Sequence, residues 1–569
     1  MTYKIIGLLV MISLLFFACG EKAPQTPTEK PTVKKTGVIK DYEKIEQVKE
    51  QIKKFAPVEI DFPRTGLSEN QLKALELLVK AARLMDDIFL TQVYSKNEEL
   101  LAELKKKGNP DYQALLENFK INVGPFDRLE HHKPFINQKE KKPKGANYYP
   151  ADMTKEEFEA HIKANPADEK AFTSEFTVIR RKEGKLVAIP YSEFYKKHLE
   201  PAAKLLKEAA VLIENPSLKK YLNSRADAFL SNDYYQSDVD WVLLKDHKIE
   251  IVIGPYEVYE DELLGYKAAF ECFITLVDPE ESKRLDTLGK YMDDMERNFP
   301  VEDKYKNFKR GKFSPIVVTD EVFAAGDTKA GVQTIAFNLP NNEQVRENTG
   351  SKKVMLRNVC KAKFKTTWTP IAKEMLTEDN FALASFDAFF FHILMHEISH
   401  ALGPANIVLD GKETTVSKAL KDLYSRIEEA KADTLGIYNL QFMLDKGVFP
   451  KELQKNIYAT YLGGIFRSLR FGINEAHGAS NAIQLNYILE KGGFKFDKTT
   501  GKFSVVEDKI RDAIKELATE ILMIQALGDY DKAKAMIDKY VKISPELEAI
   551  LSKMTHVPND IRPVYAIDK

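Results

Sequence analysis

Residues 390–400 read FFHILMHEISH, and this segment indicates that the chain folds around a buried helix with polar side chains that can bind a metal. It carries the pattern HExxH on a strongly apolar segment, which predicts a buried helix over 387–402. A spacing of four residues places His396 and His400 on one helix face, one turn apart, where both imidazoles can reach one metal ion. Glu397 is adjacent in sequence, so its carboxylate can approach a reacting water without being a ligand. Without such a role, burial of the His396, Glu397 and His400 side chains on an apolar helix would only reduce the stability of the fold.

Composition bounds the function of the remaining chain. The 569 residues are 44% hydrophobic and 30% charged, which excludes wholesale disorder. The 84 Lys and Arg against 85 Asp and Glu leave a net charge of −1, and we find no basic–aromatic motif, so we expect no nucleic-acid partner. Three cysteines exclude a disulfide framework, and the apolar settings of Cys272 and Cys360 predict buried free thiols.

The N-terminus predicts export and a lipid anchor. Residues 5–18 form an apolar run that is too short to span a bilayer comfortably and fits a signal peptide over residues 1–18. The run ends in FFACG, which resembles a lipoprotein lipobox and predicts acylation of Cys19; an ordinary secretory signal is the alternative. Residues 19–36 are rich in Pro, Thr, Lys and Glu and predict a disordered tether. We therefore expect a bacterial cell-envelope protein, anchored at the periplasmic face or the surface of the outer membrane, whose membrane contact is this anchor alone.

The pattern along the chain favours an α+β fold. Apolar residues recur at helical spacing over 72–85 and 195–213, and short β-branched or alternating runs at 249–253, 315–318 and 334–339 predict strands. After residue 368 the pattern is mostly helical, over 387–402, 417–444, 451–466, 479–491 and 507–543. We therefore predict a mainly β-containing lower lobe over residues 37–365 and a mostly helical upper lobe over residues 366–569.

A catalytic zinc site needs a third protein ligand and one open position. The metzincin extension HExxHxxGxxH is disfavoured, because its third histidine position holds Asn406. Downstream, residues 427–433 read IEEAKAD on a predicted helix, and Glu429 lies 29 residues after His400. A carboxylate at this distance on its own helix would complete a His₂Glu site. A solvated acidic helix face is the alternative interpretation of this segment.

These two segments together resemble the dipeptidyl peptidase III family of zinc peptidases, family M49, which pairs a HExxGH-type motif with EExxAE/D. The resemblance implies one Zn²⁺ held by His396, His400 and Glu429. It also implies that Glu428 and Asp433 orient the histidines. The first motif is one residue shorter here than the usual family form, which leaves ordinary helical spacing for the two histidine ligands.

The resemblance continues into the strand-rich part of the chain. Residues 254–261 read GPYEVYED, similar to the family segment G-x-x-E-x-Y-x-D. It implies that Glu257 binds the amino terminus of the substrate and that Tyr259 donates a hydrogen bond to the reacting carbonyl. Glu271, in the following Phe-Glu pair, is predicted to contribute to substrate binding. Taken alone, an isolated Glu-x-Tyr is usually strand surface.

Two further segments agree in order along the chain. Residues 338–341 read NLPN and match the family's N-x-P-N strand end, which implies that Asn338 and Asn341 bind the substrate's backbone and amine. Residues 474–477 read NEAH and resemble the stretch with a transition-state histidine, here His477. Separately these segments would be interpreted as a turn and a structural histidine.

We therefore predict a monomeric zinc exopeptidase that hydrolyses oligopeptides from the free N-terminus and releases dipeptides. Glu397 would act as general base, with Tyr259 and His477 stabilising the oxyanion, in a cleft between the two lobes. Asn481 and Asn486 stand where family members often carry arginines that handle the far end of the peptide. They motivate one alternative, a related metallo-hydrolase or aminopeptidase with another substrate. A non-catalytic peptide-binding lipoprotein is the other.

Overall fold

The structure, a computed structural model, describes residues 37–308, 315–470 and 472–569. The predicted signal peptide, tether and lipidation site at Cys19 lie outside the described residues. The helices in the first half of the chain are α1 (Ile45–Lys53), α2 (Glu69–Val93), α3 (Asn97–Lys106), α4 (Pro110–Asn122), α5 (Lys155–Ala164), α6 (Glu169–Thr173), α7 (Tyr191–Phe194), α8 (Lys196–Leu212), α9 (Pro216–Ser231), α10 (Tyr235–Val242), α11 (Pro279–Gly289) and α12 (Met292–Asn298).

The later helices are α13 (Glu343–Asn348), α14 (Arg357–Lys363), α15 (Thr369–Met375), α16 (Glu378–Ala382), α17 (Phe386–Ser399), α18 (Val416–Leu420), α19 (Tyr424–Asp445), α20 (Ile457–Leu469), α21 (Ala476–Glu490), α22 (Glu507–Leu527), α23 (Tyr530–Tyr540) and α24 (Pro545–Leu551). The strands are β1 (Phe55–Ile60), β2 (Phe126–Asp127), β3 (Lys133–Pro134), β4 (Thr177–Lys182), β5 (Lys185–Pro190), β6 (Ile249–Glu257), β7 (Ala269–Val277), β8 (Ile316–Gly326), β9 (Ala336–Leu339), β10 (Lys352–Leu356), β11 (Asn406–Leu409), β12 (Lys412–Thr415), β13 (Phe494–Asp497), β14 (Lys502–Val505) and β15 (Asp560–Tyr565).

The predicted α+β class is confirmed. The helix predicted over 451–466 is shorter in the structure, because residues 451–455 form a 3₁₀ helix and α20 begins at Ile457, and two longer predicted helices are divided. The single helix predicted over 417–444 is divided into α18 and α19, because Lys421 between them has a φ of 51°. The single helix predicted over 507–543 is divided into α22 and α23, because Gly528 ends α22 in the left-handed conformation and the Asp529 side chain caps α23. Apolar periodicity continues across both breaks, which is why it did not reveal them.

A mixed five-stranded sheet with the order β6-β7-β8-β10-β9 forms the framework of the substrate-binding segments. Neighbouring strands are antiparallel except for β8 and β10, which are parallel. Strand β9 is at the edge of the sheet, and its backbone on one side is therefore free of a strand partner among the described residues. Its edge position places the predicted Asn338 and Asn341 segment at the border of the lower lobe.

Buried side chains divide into an upper and a lower core, which define the two lobes. The upper lobe packs α17, α19, α20, α21 and α22 around one large cluster. The lower lobe contains the five-stranded sheet with α2, α8 and α9, together with a smaller cluster around α3 and α4. Ile335 packs against both main cores, so the segment before β9 lies where the lobes meet.

The chain passes between the lobes more than once. Strand β15 pairs in parallel with β1, and Ile561 and Tyr565 belong to the lower core although they are almost at the C-terminus. Conversely, Leu285 and Met295 belong to the upper core. The predicted boundary between the two lobes, at residues 365 and 366, remains a prediction.

The search for membrane-spanning helices among the described residues found none that is both apolar and long enough. Cys272 and Cys360 are buried free thiols, as predicted.

Candidate active site

The site is built where α17 and α19 approach each other closely. Gly436 on α19 makes this approach feasible, because a side-chain carbon added there would lie 3.0 Å from the backbone nitrogen of His396. Helix α17 begins at Ser385, whose hydroxyl accepts a hydrogen bond from the Ala388 N–H, and is apolar on nearly every face, as expected for a helix inside the upper core. The close contact brings the HExxH face against the acidic segment of α19.

Three potential metal ligands converge at this contact. The Nε2 atoms of His396 and His400 are 3.1 Å apart, and the Glu429 Oε2 atom lies 3.5 Å from the first and 3.9 Å from the second. Tetrahedral bonds of about 2.0–2.1 Å to one zinc ion require ligand atoms roughly 3.3 Å apart, and the three observed distances bracket that value. Glu429 Oε2 is buried without a well-formed hydrogen bond within the described residues, as expected of an atom that binds an ion. The donor set fits a metal.

Asp433 fixes the orientation of the first histidine. Its Oδ1 atom lies 2.6 Å from His396 Nδ1, and because a carboxylate only accepts, the Nδ1–H donates and Nε2 keeps its lone pair for the metal. The Oδ2 atom accepts from Ser480 Oγ at 2.8 Å and from Gln484 Nε2 at 3.0 Å. Burial alone would raise the pKa of Asp433, but the contact with His396 outweighs it and lowers the pKa.

Glu428 has the corresponding role for the second histidine. Its Oε1 atom accepts from His400 Nδ1 at 2.9 Å and is paired with Lys431 Nζ at 2.8 Å, while Oε2 accepts from Gln525 Nε2 at 2.9 Å. Burial opposes ionisation, yet the Lys431 and His400 contacts hold the pKa of Glu428 at about 2. Both ligand imidazoles are thus held by ionised carboxylates.

Glu397 is held from the opposite lobe. Lys353 on β10 places its Nζ atom 2.7 Å from Glu397 Oε2 and 2.9 Å from the Glu397 carbonyl oxygen. Burial tends to raise the pKa of Glu397, but the Lys353 ammonium and then the ligand histidines lower it. The carboxylate is therefore ionised and able to accept a proton.

His477 lies beside the cluster, as predicted. Its Nδ1 atom is 3.1 Å from Glu429 Oε2, and its ring is tilted at 6.2 Å from the His396 ring. The contact with Glu429 raises the pKa of His477 to about 9, although burial works against it. The Glu475 side chain caps the start of α21 by accepting from the His477 N–H, which fixes this residue in the cleft wall.

A cavity of about 640 Å³ opens in front of these residues, between the lobes. The lower lobe contributes residues 332–336 and Lys363, and the upper lobe contributes, among others, His396, Glu397, Asp433, Arg467, His477 and Asn481. A larger cavity of about 1030 Å³ lies between residues 53–57 and 554–559. Because His396 of the described metal-ligand cluster and the adjacent Glu397 border the first cavity and not the second, we assign the active site to the smaller one.

The predicted amine-binding residues lie in a second acidic region, on the sheet. Burial raises the pKa of Glu257, and it raises the pKa of Glu271 well above its usual range. Asp327, directly after β8, has a pKa of about 7, mainly because of burial and then because of Glu260. Among the described residues none of these three carboxylates forms an ion pair. We call Glu257, Glu271 and Asp327 the sheet carboxylates.

One of the two predicted asparagines lies beside the sheet carboxylates. Asn341 donates from Nδ2 to the Tyr256 carbonyl oxygen at 3.1 Å, and its side chain also contacts Glu257. The Asn338 Oδ1 atom is buried without a hydrogen-bond partner in the described part of the chain. Tyr259 is 79% exposed and does not line the cavity in front of the histidines, so its predicted contact with the reacting carbonyl remains a prediction that requires lobe closure.

The two asparagines that depart from the family pattern have structural contacts. Asn481 donates to the His477 carbonyl oxygen at 2.9 Å and borders the cavity. Asn486 donates to the carbonyl oxygens of Tyr540 and Lys542 and thereby joins α21 to the end of α23. Neither brings positive charge to the cavity.

Sequence reasoning missed several residues of the site. Lys353, Ser480, Gln484 and Gln525 reach it from three separate segments, and no spacing rule connects them to HExxH. Gly436 differs from them, because a glycine within a helix pattern costs stability and can therefore indicate a packing requirement.

Comparisons with known proteins agree with this geometry. The model of a family described as peptidase family M49 matches residues 132–403. The chain resembles the solved structure of DPP III from Caldithrix abyssi, with 56% identity and a TM-score of 0.90, over 91% of this chain and 99% of that one. It resembles dipeptidyl-peptidase III from Corallococcus sp. strain EGB with 43% identity and a TM-score of 0.77, over 92% of this chain and 98% of that one.

Two curated proteins are also similar. Nudix hydrolase 3 of Arabidopsis thaliana is 38% identical over 91% of this chain and 74% of its own length, so part of that plant protein lies outside the match. Dipeptidyl peptidase 3 of Homo sapiens is 22% identical over 62% of this chain and 54% of its own length.

Proposed function

Since the chain belongs to peptidase family M49, the dipeptidyl peptidase III family, we propose that its site is a zinc centre that releases dipeptides from the free N-terminus of oligopeptides. The observation that carries this proposal is the convergence of His396, His400 and Glu429, where His396 and the adjacent Glu397 border a cavity between the lobes. An intact base next to a three-ligand site favours an enzyme over a peptide-binding protein, which has no use for Glu397.

The protein residues would share the reaction as follows. When bound, zinc supplies Lewis acidity, which polarises the scissile carbonyl and makes water acidic near neutral pH. Glu397 accepts a proton from the attacking water as the C–O bond forms, and it delivers that proton to the amine nitrogen as the C–N bond breaks. His477 is placed to donate a hydrogen bond to the developing oxyanion, and Tyr259 would join it on closure.

The sheet carboxylates support recognition of the free amino terminus. Burying acidic groups without a cation is unfavourable, and a peptide ammonium placed between Glu257 and its neighbours would supply that cation. Asn341 already contacts Glu257, and the unpartnered Asn338 Oδ1 can accept from an amine or a backbone N–H. A site that grips the ammonium measures from the N-terminus, which makes an exopeptidase.

Metal analysis combined with product identification tests the proposal. Purified protein should contain about one zinc per chain, and a pentapeptide should lose its N-terminal dipeptide as the first product. Removal of the metal with a chelator should abolish the reaction, and added zinc should restore it. Release of single residues, cleavage in the middle of the peptide, or activity that survives complete metal removal would contradict the proposal.

We further propose that residues 1–18 are removed, that Cys19 is acylated and that residues 19–36 tether a monomeric enzyme to the cell envelope. The support is the sequence alone, because an apolar run ends in FFACG and a Pro-rich segment follows. The Cys19→Ala variant should move from the membrane fraction to the soluble fraction, without a change in peptidase activity. An equal distribution of both proteins between the fractions would count against the anchor.

A further inference from the structure

Arg467 is a cationic group in the active-site cavity that the mechanism does not use. It lies near the end of α20 and borders the same cavity as His396 and Glu397. The residue is half-buried, and its Nε atom is fully enclosed without a hydrogen-bond partner among the described residues. No acidic side chain of the described chain forms an ion pair with it. A half-buried guanidinium that has no counter-ion among the described residues is suited to bind an anion that enters the cavity.

The nearby acidic side chains do not supply that anion. Asp560 is already paired with Lys363, at a distance of 2.8 Å. The neighbouring cation Arg470 donates to the carbonyl oxygens of Val557 and other residues of the C-terminal segment. The carboxylate of Glu475, which borders the same cavity, is taken by backbone N–H groups at the start of α21. Burial lowers the pKa of Lys363 and the Arg467 charge lowers it further, which shows that these cations lie close together. Among the described residues at this end of the cavity, Arg467 is therefore a cation without a paired anion.

The segment before and within β9 relates the Arg467 end to the amine end. Residues 332–336 border the cavity that contains Arg467, and the chain then continues past Asn338, which is opposite Lys353 in the sheet, to Asn341 beside Glu257. One continuous segment of the lower lobe thus extends from the cationic wall to the sheet carboxylates. Opposite charges at its two ends match the opposite charges of a short peptide, which has an ammonium at one end and a carboxylate at the other.

We propose that Arg467 binds the C-terminal carboxylate of short peptide substrates and thereby selects their length. This inference rests on the proposed function, which places the ammonium at Glu257 and the scissile bond at Glu397. The planar guanidinium offers paired donors that match a carboxylate, a geometry that an ammonium does not reproduce. Peptides whose carboxylate reaches Arg467 gain this contact, and longer or shorter peptides do not.

Matched peptide pairs test the inference. Each pair has one sequence, from four to eight residues, with either a free C-terminal carboxylate or a C-terminal amide. We expect wild-type kcat/KM to favour the free acid by about 10-fold to 100-fold at one length or at two adjacent lengths, as a hydrogen bond to a charged group provides. In R467M this preference should vanish while amide cleavage is unchanged, and R467K should retain part of it.

A control and a binding measurement complete the test. R511M removes an exposed arginine of the same lobe that does not border the cavity, and it should keep the wild-type ratio. Calorimetry on E397Q measures Kd without turnover and should show tighter binding of the free acid than of the amide. In E397Q/R467M this difference in Kd should be lost, and similar melting temperatures should show that both variants are folded. Equal losses for acids and amides in R467M, or no preference in the wild type, would overturn the role of Arg467. Failure of the wild type to release dipeptides from either member of a pair would instead overturn the proposed function.

Discussion

The two acidic regions of this molecule respond to burial in opposite ways. Around the histidines, Glu397, Glu428 and Asp433 are half-buried and yet have lowered pKa values, because each is paired with a lysine or a histidine. On the sheet, Glu257 is half-buried and Glu271 is buried, and both have raised pKa values, because no cation of the described chain is paired with them.

This difference separates what the fold completes by itself from what it leaves to the substrate. The carboxylates of the upper lobe are partnered within the protein, so the histidines and the base are oriented before substrate arrives. The sheet carboxylates form no ion pair within the described chain, so they favour a ligand that carries a positive charge. The predictions below alter one member of either region.

Replacement of the base should have the largest effect. Glu397→Gln preserves the shape of the side chain but cannot accept the proton of the attacking water, so kcat should fall by about 10²–10⁴-fold or more. Zinc content, measured by metal analysis, should remain that of the wild type because Glu397 is not a ligand. Peptidase activity of the Glu397→Gln variant at the wild-type level would contradict the role of Glu397 as the general base.

Removal of the cation across the cleft should have the next largest effect. Lys353→Met leaves Glu397 without its 2.7 Å partner, so the carboxylate loses its fixed position, and kcat should fall by up to about 100-fold. We expect KM for a free tetrapeptide to change little, and Lys353→Arg should recover much of the loss. An unchanged or higher kcat in the methionine variant would show that Lys353 does not position the base.

Substitution of a carboxylate behind a histidine should weaken metal binding without removing a ligand. In Asp433→Asn the 2.6 Å contact with His396 loses its charge, and zinc affinity should fall by about 10–100-fold in a chelator competition. Asp445→Asn, on an exposed part of the same helix, is the matched control and should bind zinc normally. Equal affinity of both variants would remove Asp433 from the metal site.

Substitution in the other region should change selectivity more than rate. Glu257→Gln should reduce the preference for a free over an acetylated N-terminus by about tenfold, as measured by kcat/KM. Only the ionised carboxylate attracts an ammonium, and burial raises its pKa, so the wild-type preference should decline with falling pH at a higher pH than an ordinary glutamate would give. In the glutamine variant that decline should be much smaller.

The matched control for this experiment is Glu262→Gln. Glu262 is exposed, lies near Glu257 in sequence and is paired with Lys142 at 3.0 Å. It should keep both the preference and its pH dependence. If the two variants behave alike, the amino terminus is recognised elsewhere.

The sequence sufficed for the parts of the site that lie on one periodic element or in a recognisable segment. His396 and His400 follow from helical spacing, and Glu429 followed once IEEAKAD was placed on its own helix. Lys353 could not be predicted, because its contact with Glu397 exists only when the sheet and α17 face each other. The same holds for Arg467, because its proposed role depends on whether the acidic groups around it already have hydrogen-bond or ion-pair partners.

The pairing of β1 with β15 is a second feature beyond sequence reasoning. Its register joins Phe55 to Asp560 across almost the whole chain, and a six-residue strand at the C-terminus carries no signal of its distant partner. The raised pKa values of the sheet carboxylates could not be predicted from the sequence either. They depend on burial and on the lack of an ion-pair partner among the described residues, which a linear pattern of Glu and Asp does not disclose.

Proton exchange on peptide binding tests the central claim most directly, namely that the sheet carboxylates await the substrate's ammonium. Calorimetric titration of zinc-loaded Glu397→Gln at pH 6 with a free tetrapeptide, in two buffers of different ionisation enthalpy, counts the protons exchanged. The α-amino group is already charged at this pH, so we predict net proton release as the ammonium lowers the pKa values of Glu271 and Asp327. The N-acetylated peptide should release none. Proton uptake, or equal release with both peptides, would contradict the account.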